Sequence, residues 1–117
     1  MHAVVETDEY LREAKRCRIT DDERNVIVDF IADHPTAGTE IAGTGGVRKV
    51  RFPKPGMGKS GGYRLITFYS GQEIPVFLLS VFAKTEKTTL TQAEKNSLRV
   101  TMGHIVSAYH ARKETRS

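Results

Sequence analysis

Tyr63-Arg64-Leu65-Ile66-Thr67-Phe68-Tyr69, then Ser70-Gly71, then Val76-Phe77-Leu78-Leu79-Ser80-Val81-Phe82 is the stretch that decides the architecture. The first run is rich in aromatic and branched residues and reads as a strand from Tyr63 to Tyr69. Gly71 supplies a turn, and a second strand runs from Ile74 to Ala83. About four residues join them, which predicts an antiparallel hairpin. The second run is apolar at odd and even positions alike. A strand of that kind is covered on both faces, so it is expected at the centre of the sheet.

Working outward, Val47 to Phe52 reads as another strand. Its alternation puts Arg48 on one side with Val50 and Phe52, and Lys49 and Arg51 on the other. Two glycine-rich loops flank it, Thr36 to Gly46 and Pro53 to Gly62. Ala3 to Glu6 is a short strand candidate. Thr7 caps a helix from Asp8 to about Lys15, with acids in its first turn, where the helix dipole favours them. Thr20-Asp21-Asp22-Glu23 is a capping box, and Val26, Ile27, Phe30 and Ile31 follow at helical spacing until His34-Pro35 ends the helix. Thr91-Gln92-Ala93-Glu94 opens a last helix from about Gln92 to Arg112, with Leu98, Met102, Ile105 and Tyr109 on its apolar stripe. The predicted order is β-α-α-β-β-β-α. This is an α+β fold, a small antiparallel β-sheet with two N-terminal helices and one C-terminal helix, the helices mainly on one face. Residues 1–113 are expected to form a single domain, with 114–117 as a frayed tail.

The 117 residues include one cysteine, Cys17, which excludes an intrachain disulfide and a zinc-finger ligand set. No apolar run approaches the ~20 residues of a membrane span. Met1 to Asp8 lacks the basic start and apolar middle of a signal peptide, so a cytoplasmic setting without membrane contact is expected. The net charge of +4 is unevenly spread. Residues 1–40 carry −5, residues 73–117 carry +3, and residues 41–72 contain no acid and six cations: Arg48, Lys49, Arg51, Lys54, Lys59 and Arg64. Such a stretch suits a polyanion, although a basic sheet edge also serves solubility alone.

Gly56-Met57-Gly58-Lys59-Ser60 resembles the end of a phosphate-binding P-loop. The glycine such a loop needs is replaced by Pro53, and Gly61-Gly62 and a strand follow where a helix is required. His2, His34, His104 and His110 are scattered, and no carboxylate pair sits in a glycine-rich cleft, so no metal and no cofactor are expected. What is left is cation-driven chemistry on RNA, which carries its own nucleophile. Cleavage needs the 2′-hydroxyl deprotonated, the phosphorane stabilised and the leaving 5′-oxygen protonated. Arginine suits the middle task because it is always charged and matches two phosphate oxygens at once. Lysine serves the proton transfers only where neighbouring cations lower its pKa from ~10.4 towards neutral, an effect of about 3–4 kcal/mol. Plain RNA binding requires the same composition, so both readings stand at this point.

Three motifs carry a resemblance. Gly43-Thr44-Gly45-Gly46-Val47-Arg48-Lys49-Val50-Arg51, Gly58-Lys59-Ser60-Gly61-Gly62-Tyr63-Arg64-Leu65 and Leu79-Ser80-Val81-Phe82-Ala83-Lys84-Thr85-Glu86-Lys87, in this order, resemble the RelE/ParE superfamily of bacterial toxins, and within it the HigB-like RelE branch of type II toxin–antitoxin modules. The resemblance covers roughly residues 3–110. It implies a toxin that enters the A site of the 70S ribosome and cuts mRNA without a metal. It also implies a cognate antitoxin, often of helix-turn-helix DNA-binding type. By this resemblance Arg64 matches the phosphate-stabilising arginine, Lys49 and Arg51 the basic strand, and Lys84 and Lys87 the later basic cluster. The expected catalytic set is Arg64, Lys84, Lys87 and Lys49; the expected RNA-contacting set is Arg48, Arg51, Lys54, Lys59 and Tyr63. Leu90 and Thr91 stand where the best-known pattern has a tyrosine, and Thr85 where it has an arginine, which leaves the proton donor to the leaving group unassigned.

Other readings compete at each position. Arg64 also reads as an edge-strand cation paired with Glu73, Tyr63 as a core residue, and the whole chain as a ParE-like gyrase inhibitor or a non-catalytic RNA-binding module. An antitoxin segment is expected to lay acids against Lys49, Arg64 or Lys84.

Overall fold

Local capping fixes where each helix begins. In the computed structural model, which describes residues 2–53, 62–83 and 90–115 with side chains to Ala111, Thr7 Oγ1 accepts the Tyr10 N–H at 3.2 Å and donates to the Leu78 carbonyl at 2.7 Å. One side chain thus starts helix α1 (Asp8–Arg16) and ties it to the sheet. The predicted capping box is complete: Glu23 N–H donates to Thr20 Oγ1, and Thr20 N–H to Glu23 Oε1, at 3.1 and 3.0 Å, opening α2 (Asp21–Asp33). The same reciprocal pair, Thr91 with Glu94, opens α3 (Gln92–Thr115).

The strands are β1 (Val4–Glu6), β2 (Thr39–Glu40), β3 (Val47–Phe52), β4 (Tyr63–Phe68) and β5 (Val76–Ala83), in spatial order β1-β5-β4-β3-β2. The α+β class holds, with three differences from expectation in the sheet and one in the helices, which cover both faces where one was expected to carry most of them. The sheet is mixed, because β1 runs parallel to β5, with Val4 opposite Val76. A three-residue strand carries nothing local to set its partner; α1 and α2 take the chain from this edge to β2 at the other, and three antiparallel pairings bring β5 back alongside β1 in the same direction. The glycine-rich loop before β3 contributes the short strand β2, antiparallel to β3. The middle strand is β4, all six residues of which are buried, with β5 beside it.

A middle strand buried on both faces requires cover on both. Tyr10, Ala14, Ile27 and Ile31 of α1 and α2 pack on one face, against Val50, Leu65, Val76 and Leu78. Met102 of α3, with Leu98 and Tyr109, packs on the other, against Ile66, Phe68, Phe77 and Phe82. The helices are therefore split between the faces. A β-bulge in β5 lets both cores close: Ile66 faces Ser80 and Thr67 faces Leu78, so Leu79 is an extra residue. The shift lets Leu78 and Val81, three apart, enter the same core. Among the described residues no helix is long and apolar enough to cross a membrane.

Candidate functional site

Strand register brings the basic residues together. Residues directly opposite in an antiparallel pair share a face of the sheet. Arg51 lies opposite Arg64, and Lys49 opposite Ile66, while Arg64 lies opposite Phe82. Lys49, Arg51 and Arg64 thus stand on the face that carries Ile66 and Phe82, as the alternation of β3 predicts for Lys49 and Arg51. Arg51 and Arg64, with Phe52, Pro53 and Gly62, line a cleft of about 200 Å³. A water takes ~30 Å³ of liquid volume, so the cleft has room for a phosphate group. Gly62 matters for its closeness: a Cβ there would sit 3.1 Å from the Phe52 carbonyl oxygen, so the backbones press together at the cleft wall.

The electrostatics are unusual for a folded protein. Like charges directly opposite on neighbouring strands destabilise a sheet. Arg64 is only 8% exposed, and its guanidinium meets one carbonyl, that of Tyr63, at 3.5 Å. Among the described residues no carboxylate pairs with Arg51 or Arg64. The reading of Arg64 as an edge cation paired with Glu73 fails, since β4 is the middle strand. A largely buried cation without an anion is costly unless a ligand supplies the charge.

Two sequence candidates lie elsewhere. Arg48 faces the opposite side of β3, where its Nη1 donates to the carbonyls of Thr36 and Gly38 at 3.1 and 3.4 Å. It fastens the loop before β3 and does not join Arg51. Tyr63 packs in the core with α1 and α2, and its hydroxyl donates to the Cys17 carbonyl at 3.4 Å. Lys54, Lys59, Lys84 and Lys87 lie outside the described residues. The sequence reading missed Phe52, Pro53 and Gly62 as cleft walls. Their signal was a proline closing one strand and a glycine opening the next.

The opposed arginines give a direct test. Sulfate or phosphate at ~10 mM is expected to stabilise the protein by about 1.4 kcal/mol if the cleft binds it with Kd near 1 mM. That corresponds to a rise in Tm of roughly 5 °C beyond chloride of equal ionic strength. The increment should vanish in Arg64→Ala; equal increments in both proteins would mean general salting and no site.

The molecule is thus an α+β protein whose mixed sheet carries a cleft with two opposed arginines that no described carboxylate neutralises. The comparison with known families is more particular: the model of the RelE toxin of the RelE/RelB toxin–antitoxin system matches residues 2–115. The chain belongs to the RelE toxin family. It is the toxin member of a toxin–antitoxin system, and a cognate antitoxin is its partner.

Proposed function

We propose that this toxin is a ribosome-dependent mRNA endonuclease that cleaves by attack of the RNA's own 2′-hydroxyl, without a metal. The observation that carries the reading is the Arg51–Arg64 pair, opposed on one face with no carboxylate among the described residues. The bond from the 2′-oxygen to phosphorus forms and the bond to the 5′-oxygen breaks. A proton leaves the first oxygen and one is delivered to the second, giving a 2′,3′-cyclic phosphate and a 5′-hydroxyl end. Arg64 stabilises the charge that builds on the phosphorane oxygens. Lys49, Lys84 and Lys87 serve the proton transfers. Arg51, Lys54 and Lys59 hold the backbone on either side of the cut. Arg48 and Tyr63 act indirectly, by fixing β3 and β4. The three basic motifs support placement in the HigB-like branch. The antitoxin silences the toxin by laying acids across the same face, and its helix-turn-helix part binds DNA.

The test is to map RNA ends in a translating extract, using an mRNA with a single 2′-deoxy nucleotide at the cut site. The expected result is cleavage of the parent mRNA on ribosomes and none at the deoxy position. Cleavage that persists there, or DNA double-strand breaks with intact mRNA, overturns the reading. Salt-sensitive binding without any cut reduces the protein to an RNA-binding module.

A further inference from the structure

Arg18 is the described non-glycine residue with a positive φ, at 60°. It closes α1 in a Schellman turn: its N–H reaches the Lys15 carbonyl at 3.0 Å, and the Ile19 N–H reaches that of Ala14 at 2.9 Å. Glycine fits this position without strain, whereas an arginine Cβ crowds the following carbonyl. Strain retained at one residue points to a use for its side chain. The other arginines of α1 and α2 are neutralised: Arg12 by Glu9, Arg16 by Glu13, Arg24 by Glu6 and Asp21. Arg18 is exposed and has no carboxylate partner among the described residues.

Its neighbours lead to the cleft. Ile19 shares a small depression of about 50 Å³ with Phe52, Pro53 and Tyr63, and Phe52 and Pro53 also wall the Arg51–Arg64 cleft. The Tyr63 hydroxyl is bonded to the carbonyl of Cys17, next to Arg18. Resting on the RNA reading above, we infer that Arg18 is a second phosphate anchor. It holds the RNA strand where this leaves the cleft and crosses the Phe52–Pro53 end of the sheet. The acids that open α2 modulate the site. Asp21 is held by Arg24 and Glu23 by the Thr20 N–H, while Asp22 stands exposed and limits the expected effect to a few-fold.

The experiment measures binding to 70S ribosomes programmed with an mRNA carrying a 2′-deoxy nucleotide in the A-site codon, across a salt series, beside thermal unfolding. Arg18→Gly is expected to raise Tm by about 4 °C. It should weaken binding roughly threefold to fivefold at ~0.1 M salt and reduce the slope of log K against log salt by about 0.7, one single-strand phosphate contact. Arg18→Gln, which removes the charge and keeps the backbone strain, should show the same loss of binding with Tm unchanged. Parent affinity and slope in both variants overturn the inference, as does a loss confined to Arg18→Gly. Arg64→Ala separates the two readings. If it binds weakly while the Arg18 variants bind like the parent, only the Arg18 anchor fails. If the parent itself does not bind programmed ribosomes, the RNA reading fails and the anchor falls with it.

Discussion

Under the proposed mechanism, Arg64→Ala is expected to lower mRNA cleavage on translating ribosomes by about 10²–10³-fold and to leave the protein folded. The magnitude is that of removing one preorganised donor from a site where negative charge develops, about 3–4 kcal/mol of transition-state stabilisation. The argument for a selective effect is electrostatic. Arg64 contributes little to the fold by charge, since its nearest strand partner is another cation, Arg51, and no described carboxylate answers it. Removing it relieves a like-charge opposition while losing the packing of a nearly buried side-chain stem, and these effects have opposite signs. Urea midpoints of parent and variant should therefore agree to within about 1 kcal/mol in stability. Arg64→Lys keeps the charge and loses the planar fork, so it is expected to recover part of the rate and stay about tenfold below the parent. Single-turnover cleavage rates decide the matter. A parent-like rate in Arg64→Ala removes this residue from the chemistry.

Gly38→Ala is the most damaging small substitution expected in the fold, destabilising it by about 2–5 kcal/mol. Gly38 has φ of +85°, and a Cβ built there lies 2.3 Å from the Lys49 carbonyl oxygen and 2.9 Å from its carbon. The obstacle is backbone of β3, which cannot swing aside as a side-chain tip would. Two penalties combine: the left-handed conformation, ~1–2 kcal/mol, and forced overpacking, ~1–3 kcal/mol. Gly71 isolates the first of them, because its φ is +88° and nothing lies within 4 Å of its built Cβ. Gly71→Ala is expected to cost only about 1 kcal/mol. Urea unfolding of both variants checks the difference; equal losses would show that the loop before β3 gives way and that Lys49 is not pinned by it. The same loop is held by Arg48 through the Thr36 and Gly38 carbonyls, so a cation that faces away from the cleft still sets the course of the strand that forms it.

Much of this was legible in the residues. Capping boxes are local chemistry, and Thr20 with Glu23 and Thr91 with Glu94 announce two helix starts without tertiary information. The alternation of β3 likewise separates Arg48 from Lys49 and Arg51. What escaped the sequence is non-local. The direct opposition of Arg51 and Arg64 depends on register, and the long loop from Pro53 to Gly62 does not dictate register as a two-residue turn would. The cover of both sheet faces was implicit in the doubly apolar Val76 to Phe82, yet no local signal says to which face α3 returns. Arg18 was silent because the turn it makes is normally announced by glycine.

The parallel seating of β1 has a consequence for the nascent chain. Val4 finds its neighbour in Val76, 72 positions later, and Thr7 donates to the carbonyl of Leu78. At ~5–20 residues per second of synthesis, the first strand waits about 4–14 s for the one that completes it. The β1 edge of the sheet therefore closes only after β5 has been made, and α1, tied to Leu78 through Thr7, docks at the same late moment.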